Sequence, residues 1–101
     1  RPIVKTHNET GVKCLTIGRH INKIPGMTDQ EAQNFARELE EHACSKEDWV
    51  YHHAWEVGDA VIWDNRCLMH QAGMWDLSEG RIMYHSRIEG DPISEAASNY
   101  L

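Results

Sequence analysis

The sequence has no C-x-x-C pair, no basic block, no internal repeat, no low-complexity segment, and no apolar run near the ~20 residues needed to cross a bilayer. Each absence bears on a class of function. Cys14, Cys44 and Cys67 are odd in number and far apart, which argues against both a disulfide scaffold and a structural zinc site built on close ligand pairs. Ten basic residues stand against 16 acidic ones, for a formal charge of -6, so a nucleic-acid footprint is not expected. With neither a spanning segment nor a charged-then-apolar leader, a soluble protein with no membrane partner is expected, with the reducing cytoplasm as its default compartment. Small-molecule chemistry is the class that fits.

At 101 residues the chain amounts to one domain at most, with a modest core. Arg1-Pro2-Ile3-Val4-Lys5 reads as a strand already under way. Residues 1–101 are therefore expected to be a single segment of a longer polypeptide.

The pattern along the chain is mainly β with one helix. Pro2 to Thr6 and Val12 to Ile17 are extended stretches around the turn cluster Asn8-Glu9-Thr10-Gly11, which predicts a hairpin. Pro25-Gly26 breaks the polar connection that follows. Thr28 with Glu31 three residues on is a capping box, and Ala32, Phe35, Ala36, Leu39 and Ala43 recur at helical spacing. That narrow, small-residue stripe predicts a helix lying on the outside of something larger, with Gln33, Arg37, Glu40 and Glu41 as its solvated face. Strands are expected at Trp49–Trp55, where the aromatic residues alternate, at Ala60–Trp63, at Cys67–His70, and at Arg81–Ile88. From Gly90 a loose coil is expected. Short strands joined by turns around one inserted helix point to a barrel or jelly roll.

Two residues stand out as chemistry. His70 ends a strand pair, where an imidazole can face a barrel mouth, although read alone it is more often a hydrogen-bonded core or rim histidine. Arg81 lies eleven residues later at the start of a largely apolar strand. Its flat, permanently charged fork suits a carboxylate, although a lone arginine there is also an ordinary surface residue. Their spacing and context make the pair more specific than either member. Asp64, Asn65 and Arg66 are read as fixing the intervening turn by hydrogen bonds and an ion pair, Trp63 as core or pocket wall, and His42 as solvated. His52 and His53 are adjacent on a strand and point to opposite faces, so they cannot serve one metal together.

The run Val57-Gly58-Asp59, Trp63-Asp64-Asn65-Arg66-Cys67, His70 and Arg81-Ile82-Met83 resembles the C-terminal half of the taurine dioxygenase family. These are Fe(II)- and 2-oxoglutarate-dependent oxygenases that include the aryloxyalkanoate dioxygenases. Val4-Lys5-Thr6-His7 with Glu9-Thr10-Gly11 resembles that family's Arg-Thr-His-Pro-x-Thr-Gly segment, and about nine-tenths of the chain is covered. The resemblance implies part of a double-stranded β-helix, a cupin-like barrel whose iron is held by two histidines and a carboxylate. It implies His70 as the distal iron histidine and Arg81 as the binder of the far carboxylate of 2-oxoglutarate. The implied reaction consumes molecular oxygen, releases succinate and CO2, and hydroxylates a small organic substrate.

Two departures qualify that match. The family's remaining iron ligands lie in a His-x-Asp or His-x-Glu motif much earlier in its chain. The only such pattern here, His7-x-Glu9, falls in the other segment and is not taken as a ligand pair. The chain thus offers one iron ligand, and alone it is expected to bind iron weakly, to be inactive, and to expose strand edges open to homo-oligomer formation. Sulfonate-using members carry a further arginine where this chain has His85, and a neutral imidazole binds a sulfonate poorly. The competing function class is a non-catalytic β-barrel module that binds a small carboxylate or a protein partner.

Overall fold

Residues 1–95 are described by a computed structural model. Two short strands, β1 (Val4–Thr6) and β2 (Lys13–Leu15), pair antiparallel with Lys5 opposite Cys14. The expected hairpin is therefore present, with its ladder drawn in to three residues on each side. Its loop closes through His7 N–H donating to Val12 O and Gly11 N–H donating to His7 O, both at 2.8 Å. Gly11 takes φ +69° there, a left-handed conformation that a side chain would strain. Thr16 Oγ1–H donates to Pro2 O and fastens the open end of the hairpin.

Helix α1 (Asp29–Ala43) starts where the capping box places it. Glu31 N–H donates to Thr28 Oγ1 at 3.3 Å, and Thr28 N–H donates back to Glu31 Oε2 at 2.7 Å. Such a cap contributes about 1 kcal/mol. The expected stripe faces inward: Ala32 and Ala36 are buried, while Phe35, Leu39 and Ala43 are half-buried. With Ile17 these alanines make up the buried apolar core among the described residues. A single 3-10 turn, Glu47–Trp49, follows, and Trp49 meets the edge of the exposed His42 ring at 5.8 Å.

Beyond Val50 the structure departs from the expected strands. The stretches 50–55, 60–63, 67–70 and 81–88 carry no ladder among the described residues. Backbone hydrogen bonds there are local turns, such as Asp59 N–H to Glu56 O and Cys67 N–H to Asp64 O. The physical reason is that alternation fits a segment to a sheet, but the ladder itself belongs to a pair of segments. No described segment forms a backbone ladder with these. Their apolar side chains stay open, including Ile62, Ile82, Tyr84 and Ile88. Residues from both ends of the described chain border one broad, unfilled concavity. The radius of gyration of 16.3 Å exceeds the ~13 Å usual for a compact chain of this length.

The coil expected from Gly90 is a capped turn as far as Glu95. Asp91 Oδ1 accepts from the N–H groups of Ile93 and Ser94, and Glu95 pairs with Lys5 beside the hairpin. The remainder of that expected coil, residues 96–101, lies outside the described residues. No described helix is long and apolar enough to cross a membrane.

Candidate functional site

The turn that precedes His70 is built on Asp64. Its Oδ1 accepts from Arg66 N–H at 2.9 Å, and its backbone carbonyl accepts from the N–H groups of Cys67 and Leu68. The Arg66 guanidinium grips the same carboxylate, with Nε 2.9 Å from Oδ1 and an Nη 2.7 Å from Oδ2. Asn65 Oδ1 accepts from the Trp63 indole N–H at 2.8 Å. The expected turn and ion pair are both present.

A partner arrives that no local pattern announces. His7, buried at 6% exposure in the hairpin loop, brings Nε2 to 3.1 Å from Asp64 Oδ2. Thr10 N–H donates to its Nδ1 at 3.3 Å, so the ring proton sits on Nε2 and is donated to the carboxylate. From the same loop, Glu9 reaches the Arg66 guanidinium at 2.8 Å. Two loop residues thereby hold the Asp64–Arg66 pair from two sides. The Arg66 side chain and backbone N–H hold the Asp64 carboxyl well below the usual carboxylate range, with His7 adding to the effect. Arg66 likewise lowers Glu9.

A pH dependence follows, and its sign is fixed. A carboxyl depressed by folding contributes stability above its unfolded value of about 4, and loses it as pH falls through the folded value. In denaturant melts of the full-length protein, the stability gap between wild type and Asp64→Asn is expected to be largest near neutrality and to shrink below about pH 4. An equal gap at both pH values would show that packing, not charge, makes the contact.

His7, Asp64 and Cys67 form the one cluster of three metal-capable donors among the described residues, their donor atoms lying within 4.8 Å of one another. It does not fit a metal. The arginine already occupies both Asp64 oxygens and sets a positive charge where the cation would lie. Cys67 is accessible to solvent, yet the atoms packed around its sulfur, with the Asp64 charge, push its thiol up and favour the neutral form.

His70 is different. It is exposed, its ring centroid lies 4.8 Å from that of Trp63, and no hydrogen bond or ion pair engages its nitrogens among the described residues. Trp63 also stacks on His85 at 6.3 Å and 9°, so one half-buried indole carries both imidazoles. His70 therefore fits one position of a metal centre, and it belongs to no group of three metal-capable donors among the described residues. Arg81 places its guanidinium 5.0 Å from the centroid of the Trp75 ring and pairs with no carboxylate among the described residues. No hydrogen bond, ion pair or ring contact links it to His70 there. His53 is committed elsewhere, between Tyr51 Oη at 2.8 Å and Asp59 Oδ2 at 2.9 Å, and does not join His52.

The taurine catabolism dioxygenase TauD, TfdA family matches residues 1–87. An (S)-phenoxypropionate/alpha-ketoglutarate-dioxygenase of Sphingobium herbicidovorans is 55% identical over 97 residues, 96% of this chain and 33% of that protein. Its namesake in Delftia acidovorans is 48% identical over 98 residues, covering 97% of this chain and 33% of that protein. An alpha-ketoglutarate-dependent 2,4-dichlorophenoxyacetate dioxygenase of Cupriavidus pinatubonensis is 44% identical over 92 residues, 91% of this chain and 32% of that protein. The chain thus spans about a third of the length of these curated relatives. No solved structure matches it.

Proposed function

Since the chain belongs to the TauD, TfdA family of taurine catabolism dioxygenases, we propose that residues 1–101 are one segment of a double-stranded β-helix oxygenase domain that uses Fe(II) and 2-oxoglutarate. In this reading His70 is one iron ligand and Arg81 binds the far carboxylate of 2-oxoglutarate. The observation that carries it is the state of those two side chains among the described residues: an imidazole with uncommitted nitrogens steadied by Trp63, and a guanidinium with no carboxylate partner. Iron, when bound, supplies the activation of molecular oxygen that couples decarboxylation of 2-oxoglutarate to oxidation of the substrate.

The chain's own residues orient and exclude. Trp63 limits the swing of the His70 ring, and the Asp64 turn sets where that ring leaves the backbone. Trp75 beneath Arg81 keeps the guanidinium plane available for a two-point carboxylate contact. The exposed apolar stretches from Tyr51 to Ile88 are the faces that the rest of the barrel covers.

For substrate, the proposal is an aryloxyalkanoic acid. The relatives named for phenoxypropionate and dichlorophenoxyacetate support it, and the Trp63–His85 stack offers a flat wall beside His70 that suits an aryl ring. The full-length protein, supplied with Fe(II), 2-oxoglutarate and phenoxypropionate, is expected to form succinate and phenol in step with each other. Absence of succinate with any aryloxyalkanoate would favour a non-catalytic module instead.

A further inference from the structure

A side-chain network joins the hairpin loop to the turn that presents His70, with His7 on Asp64 and Glu9 on Arg66. We infer that the hairpin loop is a clamp for that turn, with His7 as a positioning residue that sets where His70 stands. The inference rests on the proposed role of His70 as a metal ligand.

The geometry is specific. His7 is the buried polar residue of the described chain, and it lies 57 positions from its partner Asp64. Its Nδ1 is taken by the Thr10 N–H, so only Nε2–H remains, and that hydrogen goes to Asp64 Oδ2. A buried imidazole with both nitrogens satisfied has a single orientation. Asp64 in turn receives the N–H groups that close the turn, and its carbonyl accepts from Cys67 and Leu68, two residues short of His70. Glu9 adds a second strap through Arg66. The hydrogen-bonded path therefore runs from the loop through Asp64 to within two residues of the His70 backbone, without His7 touching the metal position. Partners bonded directly to a metal ligand typically change metal affinity about 10- to 100-fold when lost, and His7, acting through the Asp64 turn, is expected at the low end of that range.

The test is titration of the full-length protein with Mn(II) alone, a redox-quiet stand-in for Fe(II), with free Mn(II) counted by paramagnetic resonance. Titrations run at a temperature where melts show each variant fully folded. His7→Asn keeps an acceptor for the Thr10 N–H but falls short of Asp64, and its Mn(II) affinity is expected to drop about tenfold or more. His7→Gln can reach Asp64 with an N–H and is expected to stay within about twofold of wild type. A role confined to general stability would lower the melting temperature of His7→Asn and leave Mn(II) affinity where it was, which overturns the clamp. Equal losses in the Asn and Gln variants overturn it as well. If His7→Asn does not fold, Glu9→Gln, at an exposed side chain, is read the same way: a severalfold loss supports the clamp and no change overturns it. His70→Ala is the reference. Mn(II) bound undiminished there removes His70 as a ligand, and the clamp falls with it for that separate reason.

Discussion

Replacing His70 by alanine in the full-length protein is expected to abolish metal retention and succinate formation together. A site of two histidines and a carboxylate holds a divalent ion with only three protein donors. Removing one leaves a two-donor site with neither the charge nor the geometry to compete with water. The side chain is suited to the role because nothing else claims its nitrogens among the described residues, while Trp63 at 4.8 Å restrains the ring. Since no hydrogen bond or ion pair holds His70 among the described residues, the same substitution is expected to lower metal content far more than it lowers the melting temperature of the metal-free protein. Metal content after dialysis and succinate yield are the paired measurements. Full metal content in the alanine variant would rule His70 out as a ligand, and a collapsed melt would make it a structural residue instead.

Arg81→Ala is expected to have the second largest effect, and of a different kind. The guanidinium is proposed to meet a carboxylate with two parallel hydrogen bonds, a charge-assisted contact whose loss costs about 2–5 kcal/mol once desolvated. That corresponds to roughly 30-fold to several-thousand-fold in the 2-oxoglutarate concentration needed for half-maximal rate. Metal content should stay at the wild-type level, because Arg81 touches Trp75 and no metal-ligating group among the described residues. Arg81→Lys should recover only part of the loss, since a point charge cannot match both carboxylate oxygens. An unchanged 2-oxoglutarate requirement would assign the arginine to the surface, and metal loss in the alanine variant would assign it to the fold.

Together the two variants separate functions that family membership alone leaves joined. In the proposed reading, iron retention depends on His70 and cosubstrate affinity on Arg81. The proposed clamp adds a third position, His7, whose effect should appear in metal affinity and be rescued by an amide of the right length. Since Asp64 ionises far more easily than an ordinary aspartate, acid is expected to weaken the turn beneath His70 only once pH falls well below the neutral range.

How much of this was legible in the sequence depended on the distance over which each interaction acts. The Thr28–Glu31 cap and the Ala32–Ala36 face are set by residues three and four apart, so α1 appears where the pattern places it. The hairpin and the Asp64–Arg66 turn are equally local, and both are present. The strands expected between Trp49 and Ile88 rest on alternation and, at Ala60–Trp63, on a continuous apolar run, each a property of one segment. Pairing is a property of two, and among the described residues the second segment is missing from the ladder.

His70 and Arg81 were visible as a spacing, yet their surroundings were not. Nothing in the order of residues says that Trp63 carries both His70 and His85, or that Arg81 rests on Trp75. The His7–Asp64 contact lay furthest from view, since a histidine in a turn cluster and an aspartate 57 positions later share no periodicity. By itself the sequence determined the elements whose partners lie within a turn or two of the chain: the helix, its cap, the hairpin and the Asp64 turn. Only the tertiary structure decided which buried side chain meets that turn, because burial and hydrogen-bond satisfaction act through space and leave no trace in the spacing of residues along the chain.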